Sequence, residues 1–315
     1  MTAPRTGRQH ALAVLQALLV TFLWSTSWIL IKVGLDDLDL APLSFAGLRY
    51  ALAAVILLPF GIRAMRSARG RTGPLTGRLL LRVGVYGLLF VAIAQGAQFA
   101  ALAVLPATAV SLVLASIPMW VAFIALGAGR ERATIGQAAG IGLLSVGALL
   151  YFGPFEVPPD AVIGFVAAGV CVGAAATSSH LGRGLARDVI GRVGGPVGLT
   201  AFSMVAGAIV LLGVGVALEG WPRLDWAGWL IVAWLAVVNT AFAFTLWNHT
   251  LRTLTAVESS VVNNTMTIQI SILAIVFLSE RLGPLQLVGL LLAATGAAVV
   301  QLAPVLRSRQ PRSSA

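Results

Sequence analysis

Charge is scarce in this chain of 315 residues: Asp, Glu, Lys and Arg make up only 10% of it, against about 25% in an average soluble domain. A compact water-soluble fold of this size needs a wetted surface, which 21 basic and 11 acidic side chains cannot provide. Cysteine is scarcer still. Cys171 stands alone, which excludes a disulfide framework and a thiolate metal cluster. No G-x-x-x-x-G-K-[ST] pattern occurs, so ATP is not a built-in motor, and no H-E-x-x-H constellation occurs either.

Apolar residues are abundant instead, at 58%, with a mean hydropathy of +0.94. Between Val83 and Gly129 there is no charged residue at all, room for two spans of about 20 residues each. Further uncharged runs cover Ala11 to Ile31, Ala133 to Phe155, Ala161 to Gly182, Val193 to Leu218, Trp226 to Leu251, Ser259 to Ser279 and Leu282 to Leu306. Punctuation by Pro, Gly and charge predicts ten helices, at 11 to 32, 42 to 61, 79 to 101, 106 to 127, 135 to 152, 161 to 182, 196 to 218, 227 to 249, 256 to 278 and 284 to 303. Pro106 is expected to open the fourth and Pro284 the tenth, where a missing N–H costs nothing. The first run follows Arg5 and Arg8 as a signal sequence would, yet it continues to Ile31 without an A-x-A site and is expected to stay as an anchor.

The net charge of +10 does not imply a nucleic-acid partner, because the basic residues lie in short loops between apolar runs, where they act as topology signals. In the ten-helix reading 17 of the 21 Lys and Arg fall on one side, against Lys32, Arg223 and Arg281 on the other, with Arg49 inside a span. Positive loops stay in the cytoplasm, so a multi-pass protein of the plasma (inner) membrane with both termini cytoplasmic is expected. Short tails at 1–10 and 304–315 would flank two repeats, 11–152 and 160–303.

The repeats show as self-similarity at an offset of 149. Glu131, Arg132, Gln137, Gly140, Leu143, Gly147 and Ala148 match Glu280, Arg281, Gln286, Gly289, Leu292, Gly296 and Ala297, seven identities in eighteen ungapped positions. Five is odd, so equivalent segments enter the bilayer from opposite faces. Inverted-topology repeats are a signature of secondary transporters.

The Trp24-Ser25-Thr26-Ser27 stretch, Arg49-Tyr50, Leu105-Pro106-Ala107, and Glu131 and Glu280 ahead of Gln-x-x-Gly helices together resemble the EamA-type members of the drug/metabolite transporter superfamily. The resemblance covers residues 11 to 303. It implies a ten-helix carrier with a central cavity lined by helices one, three, four, six, eight and nine, and export of amino acids, other metabolites or toxic compounds. It brings no cofactor. The partners are a small-molecule substrate and the bilayer, and either a monomer or a homodimer fits. Four-helix exporters of the same superfamily cycle protons on a Glu in helix one; this helix one has no acid.

Polar groups inside a bilayer are costly and face a bundle interior or a cavity. Gln95 and Gln98 share a face of helix three. Asn239, Thr240 and Trp247 lie on helix eight, and Asn263, Asn264, Thr265, Thr267 and Gln269 on helix nine. Each could line a cavity or bond between helices. Trp24 lies mid-span with Trp28 four residues on, and both could cover an apolar or cationic substrate or, at the span's end, anchor the interface. Lys32 is placed to pair with the Asp36-Asp37-Leu38-Asp39 loop or to attract an anion. Arg49 calls for a carboxylate or carbonyl partner and reads best as a structural clamp. Glu258 could couple protons, although Thr255-Ala256-Val257-Glu258 fits a capping box. His180 and His249 could titrate near neutrality but lack a carboxylate close in sequence. Gly136, Gly140, Gly147, Gly289 and Gly296 are assigned to helix packing. The competing function is an intramembrane Mg-dependent prenyl or lipid-phosphate transferase using Asp36, Asp37 and Asp39.

Overall fold

A computed structural model describes residues 7–68, 76–127, 134–153, 159–188 and 191–309. Glu131 and Arg132 of the sequence repeat, and Arg5, Arg69, Arg71, Arg130 and Arg312 of the basic segments, lie outside the described residues. In lipid every backbone polar group must be satisfied within its own segment. All regular structure among the described residues is accordingly helical: α1 (Gly7–Asp36), α2 (Pro42–Ala68), α3 (Gly77–Val104), α4 (Ala107–Gly127), α5 (Ile135–Phe152), α6 (Pro159–Asp188), α7 (Gly195–Glu219), α8 (Trp226–Thr250), α9 (Ala256–Phe277) and α10 (Pro284–Arg309). All ten are long and apolar enough to cross a membrane. Ten crossings leave both termini on one face, called here the terminal face and opposed to the far face.

Several helices outrun their apolar cores. α2 continues past Gly61 to Ala68, and α1, α6 and α10 also extend into the loops, α10 running through Pro304. Pro106 sits one position before its expected place, as the N-cap of α4 at φ −56° and ψ 147°, while Pro284 does open α10. α4 breaks at Ala115–Ser116, just before Pro118, whose missing N–H cannot continue the ladder.

The offset of 149 is written into the geometry. Helices start at Gly77 and Trp226, at Ala107 and Ala256, and at Ile135 and Pro284, and each of these pairs is 149 apart. α3 and α8 also contain a π-helical turn each, Leu88–Ile93 and Val237–Phe242, at the same offset. The two register glutamines do one job. Gln137 Oε1 accepts from Thr134 N at 3.0 Å and Gln286 Oε1 accepts from Gly283 N at 2.9 Å, satisfying a first-turn N–H in α5 and in α10.

The halves are interleaved rather than side by side. The most extensive helix pairs are α2 with α7 and α5 with α10, equivalent helices packed on one another. α1 packs on α8 and α9, and α6 on α3 and α4, so the first helix of each half belongs to the wall of the other. Glycine permits the tightest of these contacts. A Cβ on Gly140 would lie 2.9 Å from the Gly296 carbonyl oxygen and one on Gly296 2.7 Å from that of Gly140. Gly147 and Gly289 face each other in the same reciprocal way, at 2.5 and 2.6 Å. Across α2 and α7, a Cβ on Gly47 would meet Leu212 Cα at 2.5 Å and one on Gly215 would meet Ser44 N at 2.6 Å.

Backbone cannot move aside as a side chain can, so Gly147→Leu should lower stability by about 1–3 kcal/mol or more through overpacking. The same change at Gly142, which has open space around it, should be nearly neutral. Thermal unfolding of the two variants in one detergent distinguishes these outcomes.

Candidate functional site

The polar residues of α1 first satisfy themselves. Thr21, Ser25, Thr26 and Ser27 donate to the carbonyls of Leu18, Thr21, Leu23 and Trp24 at 2.6–2.9 Å, the local bonding by which hydroxyls tolerate a helix interior. Their oxygens then serve the neighbouring helices. Gln269 of α9 donates from Nε2 to Thr21 Oγ1 at 3.3 Å and Thr265 Oγ1 at 3.0 Å, while its Oε1 lies 3.0 Å from Ser25 Oγ. Both ends of that amide are engaged. Asn239 of α8 donates to the Leu23 carbonyl and, at 3.2 Å, to Thr26 Oγ1, leaving its buried Oδ1 without a partner.

The π-helical turn of α8 places Asn239 beside Thr240, and the two look to different helices. Thr240 Oγ1 donates to Leu235 O at 2.8 Å, five residues back, and accepts from Arg49 Nε of α2 at 3.1 Å. The buried guanidinium lies 5.1 Å from the Tyr50 ring centroid and 5.9 Å from that of Phe99. Here the structure departs from expectation: a hydroxyl and two aromatic faces take the place of a carboxylate or carbonyl, since no acidic residue lies on the adjoining stretches of α3 or α8. Tyr50 donates to Gln95 Oε1 at 2.7 Å, which brings α3 into the same layer.

Aromatic rings continue from this layer towards the terminal face. Tyr86 stacks on Phe90 at 5.5 Å and 3°, Phe90 meets Phe244 edge-on at 6.3 Å, and Trp24 lies 5.3 Å from both Phe244 and Trp247. Trp24 Nε1 is buried without an acceptor. The repeat offset pairs Phe90 with Asn239, Gln95 with Phe244 and Gln98 with Trp247, so amide and aromatic change places between halves. Because α3 and α8 run in opposite directions, that exchange puts Gln95, Gln98 and Asn239 towards the far face. Tyr86, Phe90, Phe244 and Trp247 lie towards the terminal face. The middle of the bundle thus has an amide side and an aromatic side.

Other candidates fall elsewhere. Trp28 is buried in the main hydrophobic core, and Gln98 is also buried. Asn263 is exposed, and its neighbour Asn264 accepts from Gln301 Nε2 of α10 at 3.0 Å. His180 Nδ1 lies 2.9 Å from Arg183 Nη2, whose hydrogens make it the donor, and His180 Nε2 lies 2.9 Å from the Val121 carbonyl oxygen. His249 is exposed at the end of α8. Glu258 closes the capping box with Thr255 and pairs with His10 at 3.2 Å. Lys32 pairs with Asp36 at 2.8 Å and donates to the Leu102 carbonyl at 3.0 Å, so it crosses to α3 rather than reaching into water.

A half-open cavity of about 480 Å³ at the far face is lined by Lys32, Asp36, Asp37, Pro106, Ser279 and Glu280, among others. Among the described residues no three His, Cys, Asp or Glu side chains come together as a metal site, which leaves the Asp36-Asp37-Asp39 transferase reading without one. At the same face two acids of the second half cap helices of the first. Glu280 accepts from Ala107 N at 2.7 Å, Thr108 N at 3.3 Å and Thr108 Oγ1 at 2.6 Å, capping α4. Glu219 accepts from Leu43 N at 2.9 Å, Ser44 N at 2.7 Å and Ser44 Oγ at 2.8 Å, capping α2. Helix N-termini favour carboxylates by their unpaired N–H groups and dipole.

Tyr86, Phe90 and Phe244 were not singled out by sequence reasoning, and Tyr50 entered it only beside Arg49. A signal existed for Phe90 and Phe244, because Asn239 and Gln95 stand at their repeat-equivalent positions.

Ten membrane-crossing helices in two interleaved, inverted five-helix halves, with a mixed polar and aromatic layer between them, define a transporter of the drug/metabolite class. The EamA-like transporter family model matches residues 11–153 and 161–302, and the chain belongs to that family. It is 25% identical over 250 residues to a Bacillus subtilis (strain 168) protein described as uncharacterized transporter YoaV, across 76% of this chain and 80% of that one. A crystal structure with 22% sequence identity superposes with a TM-score of 0.61, covering 92% of this chain and 98% of the other, which supports the fold.

Removing the Glu280 cap by Glu280→Ala should cost about 0.5–2 kcal/mol, the usual range for a lost N-cap. Thr108→Val should lose part of the same amount. In a double-mutant cycle read by thermal unfolding the two losses should be clearly non-additive.

Proposed function

We propose that the protein is a secondary carrier that moves a small organic solute outward across the plasma membrane, with the terminal face in the cytoplasm. The observation that supports this reading best is the layer on α1, α3, α8 and α9, in which polar and aromatic side chains meet at mid-depth between two inverted halves. Inverted-repeat carriers hold their substrate at such an interface and open it alternately to either side. Trp24, Gln95, Asn239, Trp247 and Gln269 are the residues assigned to this chamber, Trp24 and Trp247 by ring contact and the amides by hydrogen bonding. Asn263 is assigned to its exposed rim. The excess of Lys and Arg on the terminal-face loops supports the orientation. The absence of a Walker A pattern leaves ion coupling, exchange or facilitated flow as the driving mode.

Uptake by proteoliposomes against a metabolite panel, with and without an imposed pH gradient, tests the reading. Trp24→Leu and Gln269→Leu should each lower flux about tenfold, the equivalent of one good contact, with normal membrane insertion. Unchanged flux in both variants would sink the chamber as assigned.

A further inference from the structure

The geometry points to Arg49 as the binding residue for a carboxylate, so that the solute of the proposed carrier is a small monoanionic acid with an apolar body. Resting on the carrier reading, this names the chemistry of the same chamber. Arg49 is 4% exposed and lies seven residues into α2, about 10 Å from the helix start. A guanidinium carries five N–H donors and stays charged in proteins. One donor is used, Nε to Thr240 Oγ1. Neither Nη makes a hydrogen bond, yet neither is among the sealed, unpartnered polar atoms of the interior, which are Trp24 Nε1, Asn239 Oδ1 and Asn264 Nδ2. The two Nη groups therefore each keep a small accessible area, although the residue as a whole is 4% exposed.

No carboxylate neutralises this charge among the described residues. The ion pairs there are Lys32 with Asp36 and His10 with Glu258, and the acid nearest in contact to α2, Glu219, is engaged with Leu43 and Ser44 at the helix end. The Tyr50 and Phe99 faces offset part of the cost, but ring quadrupoles supply no hydrogen-bond acceptor for the Nη groups. Buried charges in a bilayer find a partner of opposite sign, and an arginine fork matches a carboxylate in two parallel bonds. Gln95 adds to the same surplus of donors: its oxygen accepts from Tyr50, and its amide nitrogen makes no hydrogen bond.

Charge and length narrow the class. Among the described residues Arg49 is the sole cation in this layer, since Lys32 is tied to Asp36 at the far face, so the site suits one negative charge better than a phosphate dianion. Phe244 follows Thr240 by one helical turn, about 6 Å towards the terminal face, and Phe90 lies five residues before Gln95 on α3. A carboxylate on Arg49 would therefore put an apolar group of a few carbons against those rings.

Equilibrium dialysis of the full chain in nanodiscs against phenylacetate, cyclohexylacetate and hexanoate, each beside its neutral amide, tests this. At least one acid should bind about tenfold or more tighter than its amide, the gain of a charge-assisted over a neutral hydrogen bond. Arg49→Gln should bring the ratio near one and Arg49→Lys should keep part of it. Should Arg49→Gln fail to fold, the wild-type ratio and the lysine variant still decide. Equal binding of acids and amides, no acid bound below about 10 mM, or a preference surviving in Arg49→Gln overturns the assignment. Flux of neutral solutes without acid preference would defeat Arg49 as the anion site and leave the carrier standing. Acid preference without any flux in proteoliposomes would do the reverse.

Discussion

Backbone-to-backbone approach between equivalent helices is the contact on which the rest of this molecule depends. Lipid tails are as apolar as leucine, so nothing like the hydrophobic effect in water drives one spanning helix against another. Close van der Waals contact has to serve instead. α5 meets α10 through Gly140, Gly147, Gly289 and Gly296, and α2 meets α7 through Gly47 and Gly215. Both are pairs of repeat-equivalent helices, so the local pseudo-twofold relation passes between them. With these two seams fixed, the positions of the remaining six helices follow from which half each must lean on.

Interleaving is the second consequence. α1 is walled by α8 and α9, and α6 by α3 and α4, which makes every hydrogen bond from the Trp24-Ser25-Thr26-Ser27 stretch to another helix a bond between halves. The π-helical turn of α8 concentrates this. Asn239 holds α1 and Thr240 holds α2 from adjacent positions, so one widened turn fastens two helices of the opposite half. π-bulges occur mostly at functional sites, where a locally loosened ladder re-aims side chains. Its counterpart in α3 carries Phe90 instead of an amide and reaches α8 through a ring contact.

The fold was legible because membrane constraints are coarse: runs without charge, Pro106 and Pro284 near helix starts, and an offset of 149 that also fixes where helices three to five and eight to ten begin. The capping box at Thr255 and Glu258 and the tie between Lys32 and Asp36 could be read from spacing alone, since both are local. Contacts between distant helices could not. Trp28 shares the periodicity of Trp24 but is buried in the core, because four residues advance α1 by about 6 Å and each indole meets neighbours at a different depth. Glu280 stood out only as a matching residue, and its role as the cap of α4 needs the three-dimensional closeness of the loop before α10 to Ala107 and Thr108.

The exchange of amide for aromatic between Phe90 and Asn239, Gln95 and Phe244, and Gln98 and Trp247 has a thermodynamic corollary. In a carrier whose halves swap conformations, a perfectly repeated chamber would be isoenergetic in its two orientations and would show the solute the same lining from either side. Here the lining does not map onto itself under the pseudo-twofold rotation that relates the halves, so in such a carrier the two orientations would differ in energy and in their dissociation constants for one ligand. Detailed balance then requires that any tighter grip on one side be matched by a compensating bias in how often the empty chamber visits it. The asymmetry can set half-saturation on each side, while the direction of net movement remains the property of a gradient.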